Sequence, residues 1–191
     1  MKVAVSKQLR LYRSMCADPL GVGERLVREL RPKMRRGLKF LRWNGVGDLF
    51  PEAIECLTYV ADQLPELALW VVTRKPAMAR QVPDRPNIFI QFSLDRDSAK
   101  RYLDMSNTRD ALSSRIFFSY QAAPDEVALP AWVKVVPLSV YYSHLYKAAA
   151  PDSIPAGVSC PQNESESLKD VCVDCGRCWN GEAVELRVRG V

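Results

Sequence analysis

Leu67-Ala-Leu-Trp-Val-Val-Thr73 is a near-continuous apolar run of strand length, and after a gap holding a short helical turn near Ala77 to Gln81, Asn87-Ile-Phe-Ile-Gln-Phe-Ser93 reads as the next strand. Apolar character that runs on without alternation marks a strand covered on both faces, the signature of a parallel sheet. Working outward, Leu38 to Val46 reads as an earlier strand, followed by a helix from Pro51 to Leu64 with Pro51 in its first turn. On the other side, Ser98 to Met105 reads as a helix, Arg115-Ile-Phe-Phe-Ser-Tyr120 as a fourth strand and Val133-Lys-Val-Val-Pro-Leu-Ser139 as a fifth. Strands alternating with helices at this interval predict βαβ units. Five strands fall short of a closed eight-stranded barrel. The expected fold class is therefore α/β, an open partial (β/α) barrel of about five mainly parallel strands over residues 38–150. A basic helical segment over 1–37 precedes it and an irregular cysteine-rich tail over 151–191 follows, the whole forming one compact unit.

The 191 residues, 48% hydrophobic, suffice for one domain with a substantial core. No window approaches eighteen consecutive apolar residues, and the start MKVAVSKQLRLYRSM lacks the apolar stretch and cleavage site of a signal peptide. No membrane association is expected, and the expected location is the cytoplasm.

In parallel α/β folds ligands gather at the carboxyl ends of the strands. The polar residues there are Asn44, Gly45, Gly47 and Asp48 after the first strand, Thr73, Arg74 and Lys75 after the second, Ser93 and Asp95 after the third, and Ser119, Tyr120 and Gln121 after the fourth. Asn44-Gly-Val-Gly-Asp48 carries the most weight, since two glycines beside an acid allow close backbone approach to a ligand whose amine or hydroxyl the carboxylate accepts. The plainer reading makes Asp48 the N-cap of the helix that follows. Arg74-Lys75 suits an anion or a solvated basic turn equally well.

Four of six cysteines fall in the last thirty-two residues, Cys160 ahead of the compact run Cys172-x-x-Cys175-x-x-Cys178. Zinc sites with four cysteines are generally built from two separate C-x-x-C pairs, whereas three cysteines at this spacing plus a distant fourth are closer to the ligand set of a [4Fe-4S] cluster. The spacing favours iron-sulfur; Zn2+ is the alternative, and a metal-free thiol or disulfide arrangement the third. Cys56 sits on an apolar stripe with Leu57 and Val60 and is expected in the core.

Charge is segregated. Residues 1–43 hold twelve Lys or Arg against three Asp or Glu, leaving a net charge of about −4 on the remainder. Arg25, Arg28, Arg31, Lys33, Arg35 and Arg36 fall around a helix expected over residues 24–36, which Pro32 should end or kink. They form either a solvated helix face or a surface for nucleic acid or an acidic protein. The single histidine, His144, stands among aromatics near no nucleophile motif, and phosphate-binding, esterase-elbow and zinc-protease motifs are absent from the sequence.

Arg42-Trp-Asn-Gly-Val-Gly-Asp-Leu-Phe50, Leu69-Trp-Val-Val-Thr-Arg74, Gln91-Phe-Ser-Leu-Asp95 and the terminal cysteines together resemble the phage "gene product 88" type family over roughly residues 36 to 180. That family is similar to the radical S-adenosylmethionine enzymes, whose partial barrel receives the methionyl amino group on a glycine-and-acid motif. The resemblance implies that Gly45, Gly47 and Asp48 take that position and that the terminal cysteines hold the family's C-terminal cluster. It also implies a departure: the N-terminal C-x-x-x-C-x-x-C loop is missing, as in a member shortened at that end. Two readings follow. The favoured one is a non-catalytic metal protein on a reduced scaffold, binding a macromolecule through its basic front. The other is an iron-sulfur enzyme that retains S-adenosylmethionine or substrate binding at the strand ends.

Overall fold

The computed structural model describes residues 2–44, 47–109, 116–121, 131 and 138–142. Among them the elements run α1 (Lys2–Ala17), α2 (Pro19–Met34), β1 (Phe40–Arg42), α3 (Pro51–Gln63), β2 (Ala68–Thr73), α4 (Pro76–Ala79), β3 (Ile88–Leu94), α5 (Ala99–Arg109), β4 (Ile116–Gln121) and β5 (Leu138–Tyr142). Apolar residues three and four apart define α3: Ala53, Ile54, Leu57, Val60 and Ala61 are all buried. Pro51 starts this helix without losing a bond, and the pair Leu64-Pro65 ends it, because a residue before proline avoids helical geometry.

Among the described residues all strand pairs are parallel and the order is β1-β2-β3-β4-β5, the order of the chain. The register places Leu69, Val71, Ile88, Ile90, Phe92, Leu94, Ile116, Phe118 and Tyr120 on one face, where they join Leu57 and Val60 of α3, Leu64 at its C-cap and Met105 of α5 in the main core. Fully burying each such side chain contributes about 1.5–3 kcal/mol. The opposite face carries Trp70, Gln91, Ser93, Phe117 and Ser119, all buried as well. There the Trp70 indole donates to Gln91 Oε1 at 2.7 Å, Arg42 lies 4.9 Å above the Trp70 ring, and Phe89 stacks on Phe117 at 6.3 Å. Burial on both faces is what the near-continuous apolar run of β2 predicted.

Asn87 locks α3 to the sheet. Its buried amide nitrogen donates to the carbonyls of Ala61 and Leu64, each at 3.1 Å, and of Leu67 at 3.2 Å, so one side chain ties the end of α3 to the turn into β2 and serves the Ala61 carbonyl, which has no N–H partner at Pro65.

The boundaries differ from the sequence reading in several places, each with a local cause. Helix α2 begins at Pro19, earlier than residue 24, because Asp18 accepts the Gly21 N–H at 2.8 Å and caps it. Pro32 does not end it: in the last turn only the bond to the Arg28 carbonyl is forgone, and the helix runs to Met34. It closes in a Schellman motif, with Gly37 at φ 99° donating to Met34 O and Leu38 N–H to Lys33 O. β1 is only three residues long. β5 is described from Leu138 to Tyr142 and overlaps the strand expected over Val133–Ser139 at Leu138 and Ser139; residues 132–137 lie outside the described residues.

Replacing Asn87 with Ala removes the amide donor from three buried carbonyls, of which that of Leu64 keeps the Leu67 N–H, and we expect a loss of about 2–3 kcal/mol in denaturant unfolding, against about 0.5 kcal/mol or less for Lys100→Ala on the exposed side of α5. Equal effects of the two substitutions would show that the clasp has no structural weight.

Candidate functional site

The turn after β1 begins where backbone pairing gives way to a side chain. Trp43 N–H still donates to Trp70 O at 2.8 Å. At the next position the Asn44 amide takes over: Oδ1 accepts Val72 N–H at 3.0 Å, and Nδ2 donates to Val72 O and, at 3.3 Å, to Gly47 O. This amide supplies the donor and acceptor that another residue of β1 would have offered, so the backbone is free to leave the sheet. Gly47 has φ 84°, and an added Cβ would meet nothing within 4 Å, so its glycine is required by conformation and not by space.

The turn delivers Asp48 to the end of β2. Asp48 Oδ1 accepts Leu49 N–H at 2.7 Å and the Thr73 hydroxyl at 2.5 Å, and Oδ2 accepts Arg74 N–H at 3.2 Å. Asp48 is therefore not the N-cap of α3. That place belongs to Phe50, which makes no side-chain capping bond, because the carboxylate is already turned toward β2. Buried Leu49 anchors the turn, and its carbonyl accepts Lys75 Nζ at 3.1 Å.

Arg74 carries the network across the next two strands. Nη1 donates to Asp95 Oδ2 at 3.3 Å and Nη2 to Gln121 Oε1 at 2.8 Å. Asp95 also accepts Arg101 Nη2 at 3.0 and 3.3 Å on its two oxygens, the Asp97 N–H at 3.2 Å and the Ser98 hydroxyl. Burial pushes the Asp95 carboxyl upward, but the Ser98 hydrogen bond, the Arg101 and Arg74 charges and the Asp97 N–H together outweigh it and hold it below its ordinary value. Charges of alternating sign thus line one edge: Asp48, then Arg74 and Lys75, then Asp95, then Arg101. Asp48 Oδ2 accepts one structural bond and keeps lone-pair capacity, and the Arg74 side chain is 43% exposed. Such an edge can seat a zwitterion, amine toward the acid and anion toward the cations.

Of the residues expected here, Asn44, Gly47, Asp48, Thr73 and Asp95 come together. Ser93 does not: it pairs in register with Ser119 and shares the sheet face opposite Thr73. Buried Ser119 Oγ has no hydrogen-bond partner among the described residues. Gly45, His144 and the proposed metal ligands Cys160, Cys172, Cys175 and Cys178 lie outside the described residues. The sequence reading missed Ser98 and Arg101, although a serine directly before a helix was a usable signal for a polar turn. Buried Cys56 has its thiol pushed up to about 11, chiefly by burial and further by Glu55, in keeping with the core position expected of it. The six cations of the basic segment are exposed, and no salt bridge engages them among the described residues.

A carboxyl held low stabilises the fold above its unfolded value, 3.8, and that contribution is lost as pH falls through the lower folded value. Asp95→Asn should therefore be less stable than wild type at neutral pH, with the gap in denaturation midpoint closing below about pH 3.8. A gap that stays constant down to the acid limit would show that the Asp95 charge is not what the arginines hold.

No curated protein and no solved structure matches the chain. The family gene product 88 matches residues 9–181, which takes in α2, β1 to β5 and the four terminal cysteines. On that match, the chain belongs to the gene product 88 family, a phage-type family.

Proposed function

We propose that this protein binds a small zwitterionic ligand of the S-adenosylmethionine kind at the carboxyl edge of an open partial (β/α) barrel, and a metal centre on its terminal cysteines. The observation that carries the reading is the single network joining Asp48, Thr73, Arg74, Asp95 and Gln121 from four consecutive strand ends. A strand order that never reverses also supports a barrel-like curl, because it offers no switch-point crevice and leaves the strand ends as the place for a ligand.

In this reading Asp48 accepts the ligand's amine through the free capacity of Oδ2, and Arg74 with Lys75 neutralises its carboxylate. Gln121 and Asp95 hold the guanidinium flat and aimed. The spacing of Cys172, Cys175 and Cys178, with Cys160 as fourth ligand, favours a [4Fe-4S] cluster over Zn2+. Such a cluster, when bound, supplies one-electron chemistry, whereas zinc supplies a structural tie. Binding alone accounts for the geometry at the rim. Radical chemistry is the alternative, and release of 5′-deoxyadenosine from S-adenosylmethionine would mark it.

The full chain, purified without oxygen, should bind S-adenosylmethionine in titration calorimetry, and Asp48→Asn or Arg74→Gln should each weaken that binding roughly tenfold with the fold intact by circular dichroism. Wild type that takes up no ligand sinks the rim assignment. In the same preparation we expect iron in wild type and its loss in Cys175→Ser. Zinc without iron would replace the cluster with a structural site, and neither metal would remove the metal centre altogether.

A further inference from the structure

We infer that the opposite, amino edge of the sheet carries a second site, a cleft and helix face that bind an acidic peptide segment through one apolar anchor residue. The ends of α2 and α3 and the start of β1 border a cleft of about 560 Å³. Met34, Leu38 and Leu64 give it an apolar wall, and Arg31, Arg35 and Lys39 stand around it, opposed by one acid, Glu66.

The cleft continues a stripe on α2. Arg25, Arg28, Arg31 and Arg35 follow one another at spacings of three and four, on the side of the helix away from buried Val22, Val27 and Leu30. All four are exposed. They span roughly 15 Å, the reach of about five extended residues. Arg31 and Lys33, in the last turn, have an ordinary role in compensating the carbonyl end of the helix, but that effect fades within one turn and explains neither Arg25 nor Arg28. The ligand class follows from what lines the cleft. A single-stranded nucleic acid calls for aromatic platforms on which bases stack, and no residue lining the cleft is aromatic. A mixed wall of methionine, leucines and cations suits a leucine-sized side chain flanked by carboxylates.

The test is fluorescence anisotropy with the full chain and a short labelled peptide of Asp and Glu bearing one central Leu. Wild type should bind it, less tightly as salt rises. The same peptide with Ser for Leu should bind roughly tenfold more weakly, and the Arg31→Glu, Arg35→Glu double variant should lose a similar factor. Three outcomes would overturn the inference: no binding, equal binding of the two peptides, or tighter binding of a single-stranded oligodeoxythymidine of the same charge. The peptide pair is compared on wild type, so the result holds even if the double variant folds poorly. Success or failure here leaves binding at the opposite rim to be judged on its own titration.

Discussion

Parallel strands that hydrogen-bond in the order of the chain must all leave the sheet along one edge, and most of this structure follows from that constraint. Each strand end has to be carried back to the start of the next, so α3, α4 and α5 fall between successive strands. The turns after β1, β2 and β3 then stand side by side. Residues distant in sequence, Asp48, Arg74, Asp95 and Gln121, become neighbours at the spacing of adjacent strands, about 4.8 Å, which is within the span of one arginine. At the other edge the same rule collects the end of α2, the end of α3 and the start of β1, so the two edges acquire different chemistry.

Two kinds of bond hold this arrangement, and they do different work. The Asn44 and Asn87 amides are part-buried or buried and pair with backbone, so each satisfies groups that would otherwise be stranded away from water. The rim ion pairs are partly exposed: Arg74 and Asp95 are 43% and 28% accessible. Solvent and salt screen such pairs, and their contribution to stability is small beside that of the amides. Their value is geometric. A planar guanidinium with two separate donors on Asp95 and Gln121 has one orientation, which a lysine ammonium could not enforce.

Much of the fold was legible because β2 is a near-continuous apolar run, which a doubly covered strand requires, and β3 and β4 are strongly apolar; the ends of all three lie within one residue of the sequence reading. The rim was legible for the same reason, since polarity begins where each run stops. What stayed hidden depends on contacts between distant residues. Nothing local announces that Asn44 would stand in for a rung of β1, or that Asp48 would face Thr73 in place of capping α3. Ser93 was read as part of the rim because position along a strand was weighed and side-chain alternation was not, and a shift of one residue reverses the face.

The shortness of β1 bears on how the chain behaves in company. Among the described residues it is an outermost strand of the sheet, the position at which an extended chain can add to a sheet by backbone pairing. Three residues give a newcomer little to pair with, and exposed Lys39 just before the strand and Arg42 at its end add positive charge. Because Asn44 diverts the backbone so early, the chain blunts the border at which copies of itself could join sheet to sheet while it is being synthesised and concentrated.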